Sequence, residues 1–173
     1  TTLFRSQCDG NHELAITKVI QQKVPKSKNP LSTISIYENL QDVIGKKHGR
    51  DSKAYSFTLY QKGRYFANIE KIKDAIRTFE ESLEVLEKHE GPDNCAMMAG
   101  LWANISYCYW KMKDFDKAIE TGEMAHAHSV KYGQGESDAA AMNLIQLGMT
   151  YVNTGNKRKA IETFENALST LEK

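Results

Sequence analysis

Ala75-Ile76, Ala118-Ile119 and Ala160-Ile161 lie 43 and 42 residues apart, and the residues around them keep step. Nine residues before each alanine stands an aromatic (Phe66, Tyr109, Tyr151), three before that a small residue (Gly63, Ser106, Gly148), and four earlier a bulky apolar one (Leu59, Trp102, Leu144). Spacings of four and three put these positions on one stripe of an α-helix, so each copy begins with a helix that has a packing face. The alanine opens a second helix, where an added methylene would overpack the contact by about 1–3 kcal/mol. A fixed period of this length dictates an array of helical hairpins whose stability is set between neighbours, not around one centre.

Read in order, the chain divides into about four hairpins, near 11–48, 51–89, 94–132 and 136–172. Residues 1–10 carry no helix-start signal and are expected to be the end of a preceding helix or disordered. Asp9 or Asn11 is a candidate cap for a first helix carrying Leu14, Ala15, Ile16, Val19 and Ile20, which Pro25 ends. Asn29 before Pro30 starts the next helix and Gly49 closes it; between them Ile34, Tyr37, Leu40, Val43 and Ile44 recur at helical spacing. Subtracting 42 from the following copy puts Thr33 at the alanine position, Val24 at the aromatic one and Gln21 at the small one, a degenerate first hairpin. Asp51 or Ser52 caps the second hairpin, and Gly91-Pro92-Asp93 and Gly133-Gln134-Gly135 separate the later ones. Phe79 and Phe164 follow their alanines by four residues, whereas Gly122 holds that place in the central copy.

This pattern resembles the tetratricopeptide repeat. The resemblance covers nearly all of residues 11–173 and implies an all-α fold, a right-handed superhelix of antiparallel helix pairs. Lys62 departs from the apolar residue the family places before the small one; its stem can be buried while the ammonium reaches past the edge. The period of 42 to 43 residues, against about 34 for the common form, adds about one turn to each helix. With the segment EKHEGPDNCAMMAGLWANISYCY, it is similar to kinesin light chain repeats. No terminal helix with a polar outer face follows Lys173, so a fragment of a longer array, or an uncapped end that packs on a neighbouring subunit, is expected.

Opposite the packing stripe of each first helix lie Phe57, Tyr60, Gln61, Arg64 and Asn68, then Gly100, Ala103, Asn104, Tyr107 and Lys111, then Met142, Ile145, Gln146, Met149 and Asn153. The resemblance implies that this surface is a concave groove for a protein or peptide ligand. Tyr60, Gln61, Arg64, Asn104, Tyr107, Lys111, Met142, Gln146, Met149 and Asn153 are its candidate binding residues. Gln61, Asn104 and Gln146 share one repeat position, an amide ladder able to pair with an extended backbone. Asn104 also matches the asparagine that kinesin light chain repeats use on their cargo-binding face. Tyrosines and adaptable methionines would supply pockets, and Arg64 and Lys111 would pair with acidic groups. The same amides can instead bond one another or neighbouring backbone and hold the array together. Only Asn104 and Arg64 match the cationic and amide set with which some tetratricopeptide domains clamp a terminal carboxylate, so a chaperone-tail clamp is not expected.

Chemistry is sparse. Lys and Arg number 23 against 22 Asp and Glu, a formal charge of +1 that offers no footprint for nucleic acid. Cys8, Cys95 and Cys108 form no regular framework and favour a reducing, cytoplasmic setting. No signal-peptide pattern opens the chain, and AAAMNLIQLGMTYV is too short to insert in a bilayer. His126 and His128 point about 200° apart on a helix, which suits solvated surface better than a metal. His48 and His89 suit helix C-termini. Glu80, Glu81, Glu84 and Glu87 read as a solvated face. No catalytic group, cofactor or metal is expected. The leading expectation is a non-enzymatic adaptor or scaffold. The alternatives are a structural segment of a larger assembly with no free peptide site, or a regulatory arm of a multidomain enzyme.

Overall fold

The structure, a computed structural model, describes residues 2–24, 29–88, 94–132 and 135–172. Among them are eight helices and no strand: α1 (Thr2–Lys23), α2 (Pro30–His48), α3 (Lys53–Asn68), α4 (Ile72–Glu87), α5 (Cys95–Lys111), α6 (Phe115–Lys131), α7 (Asp138–Asn153) and α8 (Lys157–Leu171). The all-α class expected from the period is the one observed. The chain forms two compact units, Thr1–His89 and Glu90–Lys173. Pro25, His89, Gly91-Pro92-Asp93, Gly133 and Gln134, where ends and breaks were expected, lie outside the described residues.

Helix starts follow side-chain chemistry. The Asn29, Ser52, Asp114, Ser137 and Asn156 side chains each accept a bond from a backbone N–H of the first turn, satisfying donors the helix leaves open. Asp51 is not the cap of α3; its carboxylate takes the Lys88 ammonium at 2.6 Å. Nor does Asp9 or Asn11 cap α1, which runs through both from Thr2. Each residue costs a helix interior less than about 1 kcal/mol, so the cap signal is overridden.

The turn inside each of the last three hairpins repeats one geometry. Glu70, Lys113 and Gly155, at the same repeat position, have φ of 60°, 61° and 76°. The next N–H in each turn reaches five residues back, Lys71 to Phe66 O (2.9 Å), Asp114 to Tyr109 O (3.0 Å) and Asn156 to Tyr151 O (2.9 Å). This is the bond that closes a helix with a left-handed residue.

In the first unit α1 and α2 pack on α3, with Ile16, Ile44 and Ala54 buried together and Ile20, Leu40, Tyr55 and Phe57 around them. Thr33, at the degenerate alanine position, is buried, while Leu14 and Val43 fit the helical spacing yet are exposed. A cleft of about 180 Å³ between α1 and α2 is lined by Val19, Ile36, Leu40 and Val43. The α3–α4 hairpin closes on two serines, Ser56 Oγ donating to Ser82 O (3.1 Å) and Ser82 Oγ to Ser56 O (2.9 Å). Two turns on from Ser56, a Cβ at Gly63 would lie 2.5 Å from the Phe79 ring, so only glycine fits. Lys62 behaves as its departure implies: Nζ reaches Gln41 Oε1 at 3.0 Å and lies 5.8 Å from the Phe66 ring centre.

The second unit stacks α5–α6 and α7–α8 through α6 against α7. Gly148 repeats the glycine-under-phenylalanine contact, its Cβ position 2.6 Å from Phe164. The central copy solves the same contact with small residues. Ser106 Oγ donates to Ala118 O at 2.7 Å, and a Cβ at Gly122 would meet Ser106 Oγ and Leu147 Cδ1 at 3.1 Å each. Gly122 therefore admits Leu147 of the next hairpin where a phenylalanine would stand.

Candidate functional site

The face opposite the packing stripe is defined within each unit by burial. Leu59, Gly63 and Phe66 on α3, and Leu144, Gly148 and Tyr151 on α7, are buried. Every one of the fifteen residues on the opposing stripes of α3, α5 and α7 is half-buried or exposed.

In the first unit Tyr60 and Gln61 are half-buried and Arg64 exposed. Tyr60 packs among Phe57 and Phe79, ring centres 6.2 Å from each, and the Arg64 guanidinium lies 5.7 Å from the Tyr60 ring. Arg64 is thereby oriented by an aromatic face and keeps its donors outward.

In the second unit α5 and α7 are in contact. Tyr107 stacks on Trp110 (6.1 Å between centres, 18° between planes), and the Lys111 ammonium lies 5.8 Å from the Tyr107 ring. Met142, Met149 and Tyr107 are 63%, 43% and 38% exposed. The amides differ. Asn104 Nδ2 donates to Gly100 O at 2.6 Å and Asn153 Nδ2 to Met149 O at 2.9 Å, each on its own helix. Gln146 Nε2 is buried without a hydrogen-bond partner, an arrangement that costs free energy until an acceptor reaches it. Gln61 belongs to the first unit, Asn104 and Gln146 to the second.

A polar clasp that the spacing of single helices does not signal joins three helices of the second unit. The Tyr151 hydroxyl donates to Glu123 Oε1 at 2.5 Å, and the Lys159 ammonium lies 3.5 Å from that hydroxyl and 3.6 Å from the carboxylate. Burial, then the carboxylate, pushes the Tyr151 phenol well above its usual range, so it stays protonated and donates.

Reactive chemistry is thin. Burial pushes the Cys108 thiol up to about 11 and keeps it protonated. His126 and His128 are not simply solvated: both are half-buried, and His128 stacks on Tyr132 at 6.3 Å because the helix places them four apart. His48 packs against His12, ring centres 4.3 Å apart. Among the described residues no three His, Cys, Asp or Glu side chains come together as metal ligands, and no helix is long and apolar enough to cross a membrane.

Residues 97–173 match the family model of the tetratricopeptide repeat. No curated protein matches the sequence. Among solved structures the chain is similar to BtubC (BKLC) from P. vanneervenii, at 19% identity and a TM-score of 0.76, over 94% of this chain and 62% of that one. It is also similar to the nearly identical TPR-like repeats of a putative kinesin light chain from Podosopora anserina, at 13% identity and a TM-score of 0.65, over 96% and 89% of the two chains. The chain thus spans less than two thirds of the length of BtubC. At these identities the likeness is one of fold.

Proposed function

We propose that this chain, whose residues 97–173 match the tetratricopeptide repeat model, is a non-enzymatic adaptor binding a peptide or helix of a partner on the α5–α7 stripe. The observation that carries the reading is the exposure of Tyr107, Met142 and Met149 on α5 and α7, whose packing stripes hold the buried Ser106, Leu144, Gly148 and Tyr151. Apolar side chains clustered on one exposed face favour a protein partner. Methionines adapt to varied apolar side chains, and Tyr107 backed by Trp110 and Lys111 offers a pre-formed anchor. Gln146 lies between the two methionines on the α7 stripe, half-buried. Asn104 favours a lesser role for its own amide, which is engaged with Gly100 O. In the first unit Tyr60, Gln61 and Arg64 form a second candidate contact, with Arg64 suited to an acidic group.

The test is capture of partners from lysate by the parent chain beside Met142→Asp, Met149→Asp and a control, Glu120→Ala, all verified helical by circular dichroism. The reading expects a partner held by parent and control and lost from both aspartate variants. Identical partner sets on all four proteins would overturn it.

A further inference from the structure

The formal charge of +1 averages over an uneven distribution. In the second unit, residues 90–173, six of the eight lysines and arginines (Lys111, Lys113, Lys117, Lys157, Arg158 and Lys159) fall in two short stretches, KMKDFDK and NTGNKRK. The same stretches hold only two of the unit's eleven acids, Asp114 and Asp116, so the charge is segregated and not merely balanced. They stand 42 residues apart and form the turns that join α5 to α6 and α7 to α8. Both turns have one build, with the Asp114 N–H donating to Tyr109 O and the Asn156 N–H to Tyr151 O. Helices α5 and α7 hold the same place in their hairpins and are in contact, so the two turns lie side by side along one edge of the unit.

All six cations are exposed. Three are braced on tyrosine faces: the Lys111 ammonium is 5.8 Å from the Tyr107 ring, Lys117 5.3 Å from Tyr109, and Lys159 5.1 Å from Tyr151. Carboxylates accompany two of these, Asp114 at 3.4 Å from Lys117 and Glu123 at 3.6 Å from Lys159. Lys113, Lys157 and Arg158 complete the row. Lys113 stands at φ 61°, a left-handed position that Gly155 fills in the following turn, so this cation is kept at a cost to the backbone. Two exposed apolar side chains, Met112 (42%) and Val152 (57%), belong to the same edge.

Charge and apolar exposure together select the partner. Nucleic acid or an acidic polypeptide answers the cations alone, whereas an anionic bilayer takes cations at its headgroups and apolar side chains just beneath them. We propose that this turn edge docks the second unit on the surface of an anionic lipid bilayer. Lys113, Lys157 and Arg158 meet the headgroup phosphates and carboxylates, and Met112 and Val152 enter the interface. Docking is peripheral: side chains reach the interface while the helices stay in water. It does not rest on the α5–α7 reading, and its test needs no protein partner.

The experiment is co-sedimentation of the whole chain with vesicles of phosphatidylcholine alone or with about 30% phosphatidylserine, in about 0.1 M salt. The expected result is saturable binding to the anionic vesicles, none to the neutral ones, and release as salt rises towards about 1 M. Arg158→Ala and Lys113→Gly each weaken binding about fivefold; the glycine relieves the turn, so its loss of binding cannot come from unfolding. Lys131→Ala removes the same charge at the far end of α6 and leaves binding unchanged. Val152→Asp weakens it at least as much as Arg158→Ala. No binding to anionic vesicles, equal binding to both kinds, or equal losses from Lys131→Ala and Arg158→Ala would overturn the proposal. So would binding indifferent to Val152→Asp, since charge alone would then act and an acidic polypeptide would be the fitting occupant.

Discussion

Gly63 and Gly148 meet the same kind of ring in different surroundings. A Cβ would stand 2.5 Å from Phe79 and 2.6 Å from Phe164, but Phe79 is fully buried and Phe164 is 36% exposed and free to swing outward. Gly63→Ala is therefore expected to lower the unfolding free energy by about 2–3 kcal/mol and Gly148→Ala by less than about 1 kcal/mol, measured by urea titration; equal losses would mean that the ring over Gly63 yields as easily. At the left-handed turn positions the sign reverses. Lys113, at φ 61°, carries a side chain where glycine is unstrained, so Lys113→Gly is expected to raise the urea midpoint by the equivalent of about 0.5–1 kcal/mol. Tyr37 gives a pH signature. Burial raises its phenol from 10.0 to about 12, so above pH 10 the unfolded chain releases the proton first. The stabilising contribution is whole below pH 10 and is lost as pH rises towards 12. Thermal melts of the parent should fall more steeply through that window than those of Tyr37→Phe.

At the scale of elements, what could be read in the sequence is what one helix encodes by itself. Caps such as Asn29 and Ser52, the buried alanines Ala75, Ala118 and Ala160, and the exposed stripes of α5 and α7 follow from local chemistry and a spacing of three or four. Elements joined through other elements were not legible. Glu123, Tyr151 and Lys159 sit on three helices at separations of 28 and 8 residues, so no helical period marks them, although the same set recurs 42 residues earlier. Tyr151→Phe is expected to cost about 1 kcal/mol of stability in urea titration, the size of one hydrogen bond to a partly exposed charge; no loss would reduce the clasp to an ornament of the surface. The amide ladder shows the other limit. Its shared repeat position is plain in the sequence, but spacing does not decide whether an amide turns to a ligand or to the carbonyl four residues back, and Asn104 takes Gly100 O.

At the scale of the molecule, the second unit, Glu90–Lys173, contains the segment matched by the tetratricopeptide model and the most regular repeats. Nearest-neighbour stability makes the packing of α6 on α7 the interface that holds its two hairpins together. A fragment of residues 94–173 is expected to be helical by circular dichroism and to melt cooperatively; a featureless, non-cooperative melt would show that it needs the first unit. The central claim, that the exposed stripe of α5 and α7 takes the partner, is tested most directly by photo-crosslinking in lysate. A benzophenone amino acid is placed at Met149 on α7 or at Met124 on α6, two exposed methionines of the same unit. The account predicts a discrete adduct from position 149 and none from position 124. The same adduct from position 124, with none from 149, would contradict it and move the partner to the other face of the hairpins.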